Sequence, residues 1–419
     1  MNTTLIQPTE ENGDASSFSP EKRGDAAHFF PSFLKGLRLL IVADSSTTHT
    51  LRWARHFRDR GCDLTILTHA TQPIEGVRVI TFPQKHWYHR IPKLRMLLDY
   101  QPFQKLIRQL DPQLIHFHFV SEGGRAFYWD RINVPMIATT WGQDVIFDNG
   151  PYPGAEFSLR KMLAKARIVT ATTHMLARET AKYTAPSKPI YITPFGVDLS
   201  RFTPRDEKPA NKSDTITLGF VKWLLPKYGP DILIEAFAAI HRERPNTRLL
   251  MAGRGDMREQ LEKRIKELNL TDAVQILGPV PHDQVPALIS SFDIMLMPSI
   301  YHSETFGVAA IEASASGVPV IASKVGGVPE AVLHNQTGLL VAPKDPAALA
   351  QATIELIDDP QRRREMGLAG RRFVERYYDW NYNTKQMEEI YRAAFENDSP
   401  RNLPIYSAGR APEFHIPAP

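Results

Sequence analysis

Two carboxylates, Glu304 and Glu312, stand eight residues apart in the stretch PSIYHSETFGVAAIEASASG at positions 298–317. Between them lie Thr305, Phe306 and Gly307, then an alanine-rich run. Ahead of them, FDIMLMP at 292–298 reads as a buried strand ended by a proline. Behind them, Gly317 is placed as the residue that ends a helix, and VPVIA at 318–322 opens another strand. The order is strand, loop with a carboxylate, helix with a carboxylate, strand. Such a βαβ unit binds ligands at the carboxyl ends of its strands. Gly307 lets a backbone approach closely, and the amides from Phe306 to Val308 would face an anion such as phosphate. Eight residues of helix span roughly 12 Å, about the size of a nucleotide diphosphate sugar. A general acid/base couple at one bond needs closer carboxylates, so this pair suits two ends of one extended ligand.

The same stretch continues with ASGVPVIAS at 315–323, GGVPE at 326–330 and NQTGLL at 335–340. With the E-x7-E pair and the preceding SETFG, this run resembles the retaining nucleotide-sugar glycosyltransferases of family 4, which have the GT-B fold. The resemblance implies that Glu304 contacts the donor sugar, that the amides of Phe306 and Gly307 contact the diphosphate, and that Glu312 binds the ribose hydroxyls.

The bulk properties are compatible with such an enzyme and exclude several other classes. The 419 residues suffice for two domains with their own cores. A net charge of +4 argues against a dedicated nucleic-acid binder. The single cysteine, Cys62, excludes an internal disulfide and fits a reducing compartment. No run of eighteen apolar residues exists, and the first residues lack the basic and apolar parts of a secretory signal. A cytoplasmic protein is therefore expected.

Residues 1–35 are polar and read as a disordered tail. The folded chain opens with a strand at 37–43, a Ser/Thr loop, a helical run to Arg60 and a strand at 62–68. That is a Rossmann-type opening, except that Ser and Thr replace the glycine pair of the first loop. The run HTLRW at 49–53 resembles one branch of the family and makes His49 and Arg52 candidates for the acceptor side, with helix-surface residues as the alternative. The strand LIHFHFV at 114–120 carries histidines at alternate positions. His118 lies nearer the strand's carboxyl end and the cleft, whereas His116 reads as a core histidine. Gly123 and Gly124 follow as a close-approach loop on the acceptor side. The strand at 134–140 runs into Trp141, Gly142, Gln143 and Asp144. Many family members carry a sugar-contacting histidine where this chain has Trp141, so Trp141 is expected as an acceptor-side sugar-stacking wall. Asp144 is expected to bind a sugar hydroxyl, with a helix cap as the alternative. Glu304, His118 and Asp144 thus make up the candidate catalytic set.

The segments FGVD at 195–198 and FTP at 202–204 match the family's interdomain signature, and a polar linker follows at 206–214. A first domain at 36–205 and a second at 215–380 are expected, two Rossmann-like α/β domains facing across a cleft. A helix at 381–396 should cross back to the first domain, and the Pro-containing tail at 397–419 reads as disordered. After the strand at 216–221 comes KWLLPKYG, where the family carries Arg and Lys on the donor diphosphate. Here Lys222 and Lys227 stand one residue earlier in each case, and they are the expected diphosphate ligands. Cations there would stabilise the departing nucleotide diphosphate. With lysines in that role, and with no D-x-D motif or Cys/His cluster, no metal or other cofactor is expected.

Residues 85–108 carry Lys85, Arg90, Lys93, Arg95, Lys105 and Arg108 against Asp99 alone, interleaved with aromatic and leucine side chains. That composition fits an interfacial helix on anionic lipid, and equally a helix with a core stripe, with Pro92 and Pro102 limiting its length. The reading is a retaining glycosyltransferase that moves a sugar from a nucleotide diphosphate donor to a hydroxyl of a glycan or lipid-linked acceptor. It would work in polysaccharide or glycolipid assembly at the inner membrane face. A nucleotide-sugar epimerase of the same fold and a non-catalytic nucleotide-sugar-binding protein are the alternatives.

Overall fold

The computed structural model describes residues 33–69, 72–81, 92–120, 126–147, 150, 154–205, 215–409, 412 and 414. The expected linker at 206–214 and the glycines Gly123 and Gly124 lie outside the described residues, as do most of the N-terminal tail and residues 85–91 of the basic segment.

In chain order the first half runs β1 (Arg38–Val42), α1 (Thr48–Asp59), β2 (Asp63–Thr68), β3 (Arg78–Thr81), α2 (Pro92–Leu110), β4 (Leu114–His118), β5 (Met136–Thr140), α3 (Ala155–Lys165), β6 (Ile168–Ala171), α4 (His174–Ala181) and β7 (Ile190–Ile192). The second half runs β8 (Ile216–Val221), α5 (Pro230–Glu243), β9 (Thr247–Ala252), α6 (Arg258–Glu267), β10 (Val274–Gly278), α7 (Val285–Ser290), β11 (Ile294–Met297), α8 (Val308–Ala315), β12 (Val320–Ser323), α9 (Val328–Ala331), β13 (Gly338–Val341), α10 (Pro346–Asp358), α11 (Pro360–Tyr377) and α12 (Trp380–Glu396).

The strands form two parallel sheets, in the orders β3-β2-β1-β4-β5-β6-β7 and β10-β9-β8-β11-β12-β13. Helices cover both faces, so the central strands β4, β5, β11 and β12 are buried along their whole length; β11 is apolar throughout, whereas β4 carries two histidines and β5 two threonines. In each sheet the order reverses beside the first strand, between β1 and β4 and between β8 and β11. A crevice opens at such a reversal, outside the carboxyl ends of the strands. His49 in the first turn of α1, His118 at the end of β4, and Lys222 and Glu304 in the loops after β8 and β11 stand near those two points. This is the GT-B arrangement, two α/β domains facing across a cleft.

The helix α12 packs on the first sheet: Met387, Ile390 and Tyr391 share a core with Phe57 of α1 and Ile41 of β1. Asp379 caps it, accepting the Tyr382 N–H at 2.9 Å. Two expectations are corrected. The segment after Ser399 is docked where it is described: Ile192 donates to the Pro404 carbonyl at 2.8 Å and Tyr406 to the Ile190 carbonyl at 2.9 Å. The exposed edge of β7 offers unpaired groups, and Pro404 can accept there although it cannot donate. Also, α2 runs through Pro102 without a break. Burial of Phe103 and Ile107 against the first sheet's core outweighs the hydrogen bond lost at the proline.

Candidate active site

The loop after β11 holds Glu304 in a fixed place. Its backbone carbonyl accepts the Gly327 N–H at 3.0 Å. A Cβ at Gly327 would lie 1.9 Å from the Thr305 carbonyl oxygen, so only glycine lets the two loops meet. Gly307 then turns the chain at φ +84° and starts α8, and no side chain caps its first turn. Uncapped amides at a helix start are free to meet an anion.

The Lys222 ammonium reaches Glu304 from the loop after β8, at 3.0 Å to Oε1 and 2.9 Å to Oε2. Burial alone would lower the Lys222 pKa; Glu304, Tyr228 and Glu312 outweigh it and hold the pKa above the usual lysine value. The Tyr228 ring lies between two cations, 4.8 Å from the Lys222 ammonium and 4.8 Å from that of Lys227. Trp223 is exposed and stacks under Arg254 instead. Glu312, on α8, is buried. Burial raises its pKa from 4.5 to about 7, although Arg52, Lys222 and Arg201 pull the other way. Lys222 thus joins Glu304, shares the Tyr228 ring with Lys227 and acts on buried Glu312, while Gly307 starts α8 and the Phe306 side chain lies in the core.

The first domain supplies an aromatic wall. His49 stacks on Phe195 with ring centres 4.3 Å apart and meets Trp141 edge-on at 5.9 Å. Burial, then the charges of Arg52, Lys222 and His282, lower the His49 pKa to about 3, so its ring is neutral. Trp141 packs at 5.1 Å from His118. His118 is buried, and burial lowers its pKa to about 3. Its Nε2 meets His116 Nδ1 at 3.1 Å while its Nδ1 has no partner. His116 in turn is bonded to Tyr391 and Thr139. The space among Trp53, His118, Trp141 and Phe195 leaves no room for a water molecule. Asp144 accepts the N–H groups of Val120 at 3.0 Å, Trp141 at 3.2 Å and Gly142 at 2.7 Å. It is buried, and burial raises its pKa to about 6 against those bonds. These contacts make Asp144 a clasp between the β4 and β5 loops, with no exposed oxygen for a sugar hydroxyl. Arg52 donates to the Gly196 carbonyl at 2.8 Å and lies 4.1 Å over the Trp380 ring.

The structure adds a set of bonds across the cleft that sequence reasoning missed. Thr305 Oγ1 donates to the Trp141 carbonyl at 2.7 Å, and Thr173 Oγ1 donates to the Thr305 carbonyl at 3.1 Å. The Glu330 carboxylate, on α9, accepts the N–H groups of His174 at 2.8 Å and Met175 at 2.7 Å. It thus completes the N-terminus of α4 in the other domain, whose third amide is capped by Thr173. Glu330 stands in the GGVPE run, and that placement was its only signal in the sequence.

Known proteins give this geometry its family. Residues 202–373 match the model of the glycosyl transferases group 1, and residues 46–201 match that of glycosyltransferase family 4. A D-inositol 3-phosphate glycosyltransferase of Segniliparus rotundus is 30% identical over 77% of this chain and 74% of its own length. A GDP-mannose-dependent phosphatidylinositol monomannoside mannosyltransferase of Mycolicibacterium smegmatis is 30% identical over 61% of this chain and 69% of its own. Among solved structures, sucrose-phosphate synthase of Thermosynechococcus elongatus shares the fold with a TM-score of 0.71 at 23% identity, covering 87% of this chain and 100% of that one. Anabaena HepE with UDP-glucose shares it at 0.67 and 19% identity, covering 85% and 99%. The chain belongs to the family 4 glycosyltransferases, enzymes that transfer a sugar from a nucleotide-sugar donor.

Proposed function

We propose that this enzyme transfers a sugar with retention of anomeric configuration, without a metal, from a nucleotide diphosphate donor to a hydroxyl of a glycolipid or glycan acceptor. The observation that carries the reading is the Lys222–Glu304 pair set beside the uncapped start of α8, with buried Glu312 on that helix. In this reading Lys222 and Lys227, with the amides of Phe306 and Gly307, hold the diphosphate. Glu304 receives a sugar hydroxyl and Glu312 the ribose hydroxyls. As the bond from the anomeric carbon to the phosphate oxygen breaks, negative charge grows on the diphosphate beside the lysines. The acceptor oxygen attacks on the same face and its proton passes to that phosphate oxygen. His49, Trp141 and Phe195 form the wall on the acceptor side.

The relatives whose names specify GDP-mannose and inositol phosphate favour a phosphoinositol-type acceptor, while HepE was solved with UDP-glucose. The test is a thermal-shift panel of UDP, GDP and ADP sugars on wild type and Glu312→Ala. A rise with one nucleotide class that is lost in the variant supports the donor assignment. No rise with any of them, in folded protein, removes it. The anomeric coupling in the product's NMR spectrum decides retention. Activity that survives EDTA supports the lysines as the cationic partners of the diphosphate.

We also place the enzyme at the cytoplasmic membrane face, with residues 85–108 touching anionic lipid. Among the described residues no helix is long and apolar enough to cross a membrane. Leu98, on α2, is 44% exposed, while Phe103 and Ile107 are committed to the core. Sedimentation with phosphatidylglycerol vesicles that weakens on replacing Lys105 and Arg108 by Gln would support this contact. Equal sedimentation of both proteins would remove it.

A further inference from the structure

A pocket of about 610 Å³ lies between the domains on the side of α1 and α12, and neither Glu304, Glu312 nor Lys222 lines it. One wall is α1, another the first turns of α12, and the others are the segment after β7 and the loop after β10. Its charge is unbalanced: four arginines and a lysine line it against two aspartates. Both aspartates are already engaged. Asp59 pairs with Arg58 at 2.7 Å, and Asp198 accepts the Ser200 N–H at 3.0 Å and its hydroxyl at 2.6 Å. Arg60 pairs with Glu388 at 2.8 Å. Among the described residues, no carboxylate is within ion-pair distance of Arg52, Arg55, Arg201 or Lys385.

These four cations come from different elements, α1, the interdomain segment and α12, yet line one space. His282 stands in their field. Burial, then Arg201, Arg52 and Arg55, lower its pKa, so the cations act together at this point. Arg201 is itself held in place, donating to the His282 carbonyl at 3.0 Å. Asp198 and Glu312 offset part of the charge at Arg52, yet the cations of the lining outnumber its carboxylates, and a multidentate oxyanion would relieve the remaining repulsion through charge-assisted hydrogen bonds. The volume is in the range of small-molecule sites.

We propose that this pocket binds a phosphate ester, held by Arg52, Arg55, Arg201 and Lys385. Its lining shares no residue with the Lys222–Glu304 pair or the start of α8, although Arg52 and Arg201 act on Glu312. Because its walls come from both domains, the ligand favours their closed arrangement. Arg52 also raises the coupling to the donor site, since its charge acts on Glu312. The phosphate can belong to a soluble sugar-sized ester or to a lipid headgroup, and the two sources are separable by experiment.

The test uses the full chain as wild type, as Arg55→Ala/Lys385→Ala and as Lys222→Ala. Inositol 1-phosphate is the soluble probe, read by thermal shift. Phosphatidylinositol vesicles, against phosphatidylcholine vesicles, are the lipid probe, read by sedimentation. The expected result is a Tm rise with inositol 1-phosphate in wild type and Lys222→Ala, with affinity at least tenfold weaker in the double variant. The double variant should keep the wild-type Tm and its response to nucleotide sugars. Vesicle binding without a response to the soluble ester, lost in the double variant, also supports the site and assigns the phosphate to lipid. A response lost in Lys222→Ala but kept in the double variant puts the phosphate in the donor site and overturns the proposal. So does a double variant that binds either probe as wild type does, or no binding of either probe to any of the three proteins.

Discussion

At the scale of single residues, burial decides what the ionisable groups can do. Glu312 ionises at 4.5 in the unfolded chain and at about 7 when folded, so the folded state holds the extra proton between those values. Stability from this group is therefore full below pH 4.5 and is lost as pH rises through about 7. Glu312→Gln removes the ionisation and should stabilise the protein at pH 8 relative to wild type, by up to about 3 kcal/mol, with little effect at pH 4.5. Melting temperatures across that range check it; equal slopes for both proteins would mean that Arg52 and Lys222 already keep Glu312 ionised. Lys222→Ala strips Glu304 of its ion-pair partner and the departing diphosphate of a cation. It should lower kcat/KM by about 100-fold or more. Asp144→Ala leaves the N–H groups of Val120, Trp141 and Gly142 without their acceptor. It should cost about 2–3 kcal/mol in chemical denaturation. A loss of activity at unchanged stability would instead restore Asp144 to the chemistry.

At the scale of elements, the loops matter more than the helices and strands that carry them. The strand β11 and the helix α8 are ordinary buried elements. What makes a site of them is the turn at Gly307 and the backing of the Glu304 loop by Gly327. Gly327→Ala brings a methyl to 1.9 Å from a carbonyl oxygen, so one of the two loops must move. The expected result is loss of the thermal shift with nucleotide sugars while the two sheets keep their circular-dichroism signal. Gly307→Ala meets no atom closer than 3.6 Å, so its penalty is the backbone conformation alone, about 1 kcal/mol.

At the scale of the whole molecule, the two domains are joined by polar bonds at the mouth of the cleft and by α12 behind it. Polar clasps of this kind can open, because water replaces each bond at small net cost. Glu330 is the strongest of them, since its carboxylate meets a helix N-terminus across the domain boundary. Glu330→Ala should raise the radius of gyration in solution scattering and lower kcat, with the unfolding midpoint of each domain little changed. An unchanged scattering curve would mean that α12 and the aromatic wall hold the closed form by themselves.

The sequence alone determined the two parallel-sheet domains and the β11–α8 unit with its two carboxylates. Apolar runs, glycines and helix stops are local signals, and each is read within a dozen residues. It also made Lys222 a candidate, through the resemblance of KWLLPKYG to the family's diphosphate-binding loop. Only the tertiary structure decided that Asp144 clasps two loops, that the segment after Ser399 pairs with β7, and that α2 passes through Pro102. The tertiary structure alone brought Arg52, Arg201 and Lys385 around one pocket, and set Glu330 against α4. The Asp144 clasp joins loops 24 positions apart, and the β7 pairing, the pocket and the Glu330 contact join residues more than a hundred positions apart. Such contacts are selected by the packing of whole domains, and no local pattern in the chain records them.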